Sequence, residues 1–227
     1  MSETAPDATA PAPTGPWWKR HVDLITVIML GVVATATAYT SFQSGIYGGQ
    51  SDDKISQSEA AGTLAESLYL EGNQQYVVDS QTIQQLSAYA IAADAGSATA
   101  AQQYDDLYFI GVSDVLHAAI QSAAALDESD PDFWHDPQYD EAYQDALFGG
   151  YAEEDANAIA LRAEGDELGY RGDLLSLYTT LMAVTLFLLG IAAVLKRPVL
   201  QWVLIATGGA IFLVTSVLTA LVPFTWL

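Results

Sequence analysis

Apolar and small residues recur from Ala158 to Ala193 in steps that alternate three and four. The series is Ala158, Leu161, Gly165, Leu168, Gly172, Leu175, Thr179, Met182, Leu186, Leu189 and Ala193. That spacing is one seam of a long helix. Off the seam, the first half carries Arg162, Glu164, Asp166, Glu167 and Arg171, so it faces water. The second half, Leu174 to Leu195, is apolar on every side and is suited to lipid. The pattern predicts a helix that passes from an acidic aqueous region into a membrane without changing register.

Two further stretches have the length and apolarity of a span. About 20 residues at 1.5 Å rise cover the roughly 30 Å hydrocarbon core, and Val22–Tyr39 and Val199–Val222 both qualify. The expected organisation is an all-α, three-span integral membrane protein. Residues 1–16 are a Pro- and Ala-rich disordered cytoplasmic tail, 17–41 the first span, and 42–173 a helical acidic extracytoplasmic domain. Residues 174–195 form the second span, 196–198 a basic cytoplasmic turn, 199–222 the third span and 223–227 an extracytoplasmic end. Basic flank, apolar run and Ala36-Thr37-Ala38 also fit a cleavable secretory signal. The long acidic leader and Asp23 favour an uncleaved anchor, with Asp23 as a dipole-complementing first-turn acid. Trp17 and Trp18 at one boundary, and Trp202 and Trp226 flanking the last span, suit membrane interfaces.

Within 42–173 the pattern is again helical. A stripe of Ala61, Leu64, Ala65, Leu68, Tyr69, Gly72 and Tyr76 predicts a helix over 52–78, with Asp79 or Ser80 capping the next. That next helix carries Ile83, Leu86, Ala90 and Ala93 and is weakened at Gly96-Ser97. A third spans Tyr104 to Leu126. The segment 127–139, DESDPDFWHDPQY, is irregular because Pro131 and Pro137 forbid a continuous helix. A short helix over 140–148 is expected to stop at Gly149-Gly150, and the long return helix to begin near Tyr151, with Glu153, Glu154 and Asp155 in its first turn.

Small residues mark candidate packing sites. Gly31, Ala34 and Ala38 line one face of the first span, and Gly208 and Gly209 sit within the third. Gly165, Leu168, Gly172 and Leu175 lie on the return seam. Gly165, Gly169 and Gly172 are expected at the height of Gly45, Gly48 and Gly49, which would let two backbones approach closely.

Charge sets the topology and limits the function. The chain carries 28 Asp and Glu against 7 Lys and Arg, a net charge of −21. Residues 42–171 hold 24 acids and only Lys54, Arg162 and Arg171, and no Lys or Arg occurs between residues 55 and 161. Such a segment repels nucleic acid and attracts cations or a basic protein partner; it also serves as a solvated surface. Lys19-Arg20 and Lys196-Arg197 place two boundaries in the cytoplasm by the positive-inside rule. This predicts a plasma (inner) membrane protein with its N-terminus inside and residues 42–171 and the C-terminus outside. Cysteine is absent, which excludes disulfides and thiolate chemistry.

Candidate chemistry is sparse. Counting from Asp130, acids fall at positions one, three and twelve (Asp130, Asp132, Glu141), as in an EF-hand. Trp134 and His135 occupy the positions that need a ligand and a glycine, so that motif fails. A looser Ca²⁺ site at Asp130, Asp132, Asp136 and Glu141 remains a candidate; no other cofactor is expected. A zinc site would need His135, His117 and carboxylates. The nucleophile, metalloprotease and phosphate-loop motifs are missing, so an enzyme is not expected.

The stretch SFQSGIYGGQS, the Gln- and Ala-rich helix after it and the basic turn between two closing spans resemble small uncharacterised bacterial three-span membrane proteins with a polar helical ectodomain. The resemblance implies a prokaryotic plasma membrane and an all-helical fold, and it carries no activity. The expected role is structural: a homo-oligomer or an accessory subunit of a larger membrane complex. The competing expectation is an oligomeric cation channel with an acidic vestibule, lined by Thr35, Thr37, Thr179, Thr180 or Thr185.

Overall fold

The computed structural model describes residues 22–225. Among them the secondary structure is five α-helices and one 3₁₀ turn, with no strand. The helices are α1 (Val22–Asp94), α2 (Ala98–Gly111), α3 (Asp114–Ser129), α4 (Glu141–Val194) and α5 (Pro198–Leu221); the 3₁₀ turn is Pro137–Tyr139. α1, α4 and α5 are each long and apolar enough to cross a membrane. The expected tail, the interfacial Trp17 and Trp18, the basic pair Lys19-Arg20 and Trp226 lie outside the described residues.

Two element boundaries differ from the expectation. Asp79 and Ser80 do not cap a helix; α1 continues through them. Gly149 and Gly150 do not end one either; α4 runs through both. A third difference is that the helix expected over 104–126 is two helices. Ser113 breaks it, its side chain accepting a 3.2 Å bond from the Leu116 amide as the cap of α3. α1 itself stops at a Schellman turn. Gly96 takes φ +98°, the Ser97 amide donates to the Ala92 carbonyl (3.1 Å), and the Gly96 amide donates to the Ala93 carbonyl (2.8 Å).

The physical reason for the long helices is a seam of small residues. On α1, positions 44, 51, 58, 65, 72, 79 and 86 are Ser, Ser, Ser, Ala, Gly, Asp and Leu, and all but Ser44 are buried. Residues 47, 61 and 82, between them, are also buried. The alternating three–four rhythm defines a coiled-coil seam, and small side chains on it let the facing backbone come close.

The chain divides into two compact units, Met1–Asp52 with Glu167–Leu227, and Asp53–Asp166. In the first, Val33, Met182, Leu189, Ala192 and Ile205 form one core cluster, and Tyr47, Leu175 and Tyr178 form another. The Ser44 hydroxyl donates to the Gly172 carbonyl at 2.8 Å. A side chain on Gly172 would meet Ser44 O and the Tyr47 Cβ at 3.4 Å, and one on Gly169 would meet Ser51 Oγ at 3.0 Å. Gly208 faces Thr185 and Leu189, and Gly209 faces Met29. Asp23, in the first turn of α1, accepts from Gln201 Nε2 at 3.2 Å. Beyond α5, Tyr47 Oη donates to the Pro223 carbonyl (2.6 Å), and Gln43 makes two 3.3 Å bonds to the Thr225 backbone. Glu167 and Arg171 pair along α4.

In the second unit, Leu116, Ala119 and Tyr143 are buried together, with Tyr76, Ile83 and Ile120 around them. Ser58 Oγ donates to the Ala158 carbonyl at 2.7 Å. Gly165 lies under Ile55 and Lys54, and Lys54 Nζ pairs with Glu164 at 2.6 Å. Gly150 packs on Leu68, and the Tyr69 ring lies against Phe148 and Tyr151. Gly72 makes the closest approach: a Cβ there would collide with the Leu147 carbonyl oxygen and the Phe148 ring. Glycine is required at that position because the obstacle includes rigid backbone. A side chain added at Gly31, Gly45 or Gly49 would meet nothing within 4 Å among the described residues.

These contrasts order the glycines. Gly72→Ala is expected to lower stability by ~1–3 kcal/mol through overpacking. Gly190→Ala, where an added side chain would meet nothing within 4 Å, is expected to be neutral or to raise it by up to ~1 kcal/mol through helix propensity. Thermal unfolding of each variant in detergent, followed by far-ultraviolet circular dichroism, checks the order.

Candidate functional site

The second unit concentrates its polar chemistry where α3 gives way to α4. α3 ends at Ser129, and Pro131 prevents its continuation. The chain then turns back on Asp127, whose Oδ1 accepts from both the His135 amide and His135 Nδ1, each at 2.8 Å. The His135 side-chain bond, then its backbone bond, holds the Asp127 carboxyl below its ordinary value. The Phe133 ring lies edge-on to His135 at 4.9 Å. Asp136 accepts from the Gln138 amide (2.9 Å) and so starts the 3₁₀ turn. Asp140 accepts from the Tyr143 amide (3.0 Å) at the start of α4. A hydroxyl bond from Ser122, with the Tyr143 amide next, lowers the Asp140 pKa.

This loop covers a cleft of about 240 Å³. Its floor is aliphatic, from Ile83, Leu86, Ala90, Ile120 and Ala123, and its polar and aromatic groups are Ser87, Tyr104, Asp127, Trp134 and His135. A second hollow of about 430 Å³ shares Trp134 and His135 and is bounded by Leu126, Phe133 and Tyr139. Trp134 is 67% exposed and Tyr139 83%. Tyr104 stacks on Tyr108 at 6.0 Å, and Tyr108 Oη is bonded to His117 Nδ1 at 2.9 Å. Burial, with Tyr104 nearby, raises the Tyr108 pKa.

Beside this loop lies a buried carboxylate. Asp79 has no exposed surface. Its Oδ2 accepts from Tyr143 Oη (2.8 Å) and its Oδ1 from Gln75 Nε2 (2.8 Å). Gln138 Nε2 continues the network to Ser80 Oγ at 2.7 Å. Burial, followed by the bond to Asp79, pushes the Tyr143 pKa well up. Every partner is neutral, in a segment where Lys54 and Arg162 are the only lysine and arginine between residues 53 and 166.

The candidate calcium ligands do different things. Asp130 and Asp132 are exposed in the loop, Asp136 serves the 3₁₀ turn, and Glu141 is exposed in the first turn of α4. Among the described residues no group of three or more His, Asp or Glu is placed to hold a metal ion. His117 bonds Tyr108 and Gln121, while His135 bonds Asp127. Of the packing candidates, Gly165, Gly172, Leu175 and Gly208 are buried, and Leu168 and Gly209 are half-buried. Gly31, Ala34 and Ala38 face outward.

Sequence reasoning passed over Asp127 and Tyr143, and took Asp79 for a helix cap rather than a buried acceptor. For Asp79 a signal existed: it falls on the seven-residue repeat of small core positions. Asp127–His135 carried no such signal, since a separation of eight across a proline has no fixed geometry. Comparison with known protein families, curated proteins and solved structures finds no match to this chain.

Two measurements follow. Tyr143→Phe leaves a buried carboxylate oxygen without its donor and is expected to cost ~1–3 kcal/mol, read as a lower unfolding midpoint. Asp127 binds protons less readily folded than unfolded, so its bonds to His135 contribute above its ordinary pKa of 3.8 and are lost as pH falls below it. Hydrogen-exchange protection of the His135 amide should therefore hold down to pH 3.8 and fall as the pH is taken below it. Asp127→Asn should remove that pH dependence.

Proposed function

We propose that this chain is a structural, self-associating protein of a bacterial plasma membrane, either a homo-oligomer or an accessory subunit of a larger membrane complex, and not an enzyme. The N-terminus and the Lys196-Arg197 turn face the cytoplasm; the acidic helical segment and the C-terminus face outward. Two basic clusters support that orientation. The acidic segment then offers a basic protein a complementary surface and repels nucleic acid.

The observation that carries the self-association reading is a second seam on α1. Gly31, Thr35, Ala38, Phe42, Gly45 and Gly49 recur at steps of four and three, and all are exposed. Glycine in a helix costs ~1 kcal/mol relative to alanine, and at Gly31, Gly45 and Gly49 a side chain would meet nothing within 4 Å among the described residues that would account for it. A neighbouring helix in an assembly does account for it, since small residues let two backbones approach closely, at Gly31 within the span and at Gly45 and Gly49 beyond it.

The threonines favour assembly over the channel reading. Thr35, Thr37, Thr179, Thr180 and Thr185 each donate to the carbonyl four residues back. Hydroxyls bonded within their own helix are suited to lipid or protein contact and need no water-filled lumen.

Since the native chain has no cysteine, single cysteines report cleanly. Ala38→Cys and Gly45→Cys are expected to cross-link protomers in native membranes under mild oxidation, and Val184→Cys, on another exposed face of α4, is not. Uniform cross-linking at all three, or none at any, overturns the α1 interface. Cation-selective conductance in planar bilayers would favour the channel.

A further inference from the structure

We infer that the cleft under the Asp127–His135 loop is a binding site for a small organic monocation of the alkylammonium type. Its shape is that of a ligand site: a concavity of about 240 Å³, mostly apolar, with few polar groups converging on it. Those groups select the sign of the ligand. Asp127, paired with His135, is the carboxylate, Tyr104 and Trp134 are the tyrosine and tryptophan that line the cleft, and no lysine or arginine occurs between residues 55 and 161. The second unit as a whole holds 22 acids against two bases, a balance of −20, which raises the local concentration of any cation.

The chemistry separates an organic cation from a metal ion. A calcium ion takes six to eight oxygen ligands, and no group of three or more metal-ligating side chains is assembled among the described residues. An alkylammonium needs less: one anionic group, aromatic faces for its positive charge and apolar walls for its substituents. The cleft supplies these three. Both protein bonds to Asp127 fall on Oδ1, so Oδ2 has no hydrogen bond among the described residues.

The walls are held in place before a ligand arrives. Tyr104 is stacked on Tyr108, which His117 anchors through its hydroxyl. His135 is fixed by two bonds to Asp127 and by the edge contact with Phe133. Preorganisation of this kind lowers the cost of binding. It also gives a role to Trp134, a large indole left 67% exposed within an acidic loop.

The test uses the full chain in an uncharged detergent, with tetramethylammonium chloride as the probe in isothermal titration calorimetry. Sodium chloride at equal ionic strength and calcium chloride are run alongside. The expected result is saturable, one-to-one binding of tetramethylammonium. Asp127→Asn and Trp134→Leu should each weaken it at least tenfold without changing the helical circular dichroism. Glu141→Gln, an acid outside the cleft, should leave it within twofold. Trp134→Leu keeps the Asp127–His135 pair and apolar bulk, so it decides the matter if Asp127→Asn disturbs the loop. The inference is overturned by heats no different from sodium chloride, by calcium binding more tightly at the same residues, by undiminished affinity in Trp134→Leu, or by equal loss in Glu141→Gln.

Discussion

Much of this structure depends on how closely two helix backbones can approach when every seventh core residue is small. Ser44, Ser51, Ser58, Ala65 and Gly72 supply that position on α1; Ala158, Gly165 and Gly172 supply it on α4. At such short separations a serine hydroxyl reaches the carbonyl of the facing helix. Ser44 does so at Gly172 and Ser58 at Ala158. Large apolar side chains stabilise a helix pair mainly by the area they remove from water. Here dispersion between backbones and hydroxyl-to-carbonyl bonds take a larger share, and neither needs an aqueous surrounding. The same packing chemistry therefore serves both the apolar and the polar stretches of these long helices.

The acidic unit solves a different problem. With two bases for 22 acids, it has few ion pairs available, and the one across its helices, Lys54–Glu164, is partly exposed. Its interior polar groups are satisfied by neutral donors instead. Tyr143 and Gln75 bond Asp79, Gln138 bonds Ser80, and Gln144 bonds the Gln138 carbonyl. Asp127, Asp136 and Asp140 each accept local amides or a histidine rather than an arginine. Carboxylates here act largely as local hydrogen-bond acceptors that shape the loop.

The all-helical class and the three span-length helices were legible in the sequence, because a run of about 20 apolar residues has few other readings. The return seam on α4 was legible as far as Leu189, since positions at steps of three and four leave little freedom; at its end Ala192 is buried and the expected Ala193 is exposed. The outgoing seam was harder. A search for apolar residues finds Leu64 and Tyr69, which are exposed at 48% and 46%, and misses Ser51, Ser58 and Asp79, which are buried. Gly149-Gly150 looked like a stop because glycine ends helices when it takes a left-handed conformation. Only Gly96 among the described residues does so; Gly150 instead clears space for Leu68. Of the site, the proline-bounded loop could be located, but the pairing of Asp127 with His135 and the cleft beneath them depend on how three helices converge, which spacing does not encode.

A seam that repeats every seven residues has a translational ambiguity. Within the second unit, sliding α1 along α4 by one heptad would again set small residues against small residues, with Ser58 or Ala65 in the place of the other. Oil-like packing alone discriminates poorly between such states. Asp79 removes the degeneracy. It is a buried carboxylate on the repeat, and its one donor from the facing helix, Tyr143, reaches it at one alignment, whereas Gln75 lies on α1 and moves with it; a shift by two turns would take the carboxylate away from Tyr143. A buried polar residue on a coiled-coil seam gives up stability to specify alignment. Read this way, Asp79 is the index mark of an otherwise periodic rack, and the position of the loop and cleft is set by it.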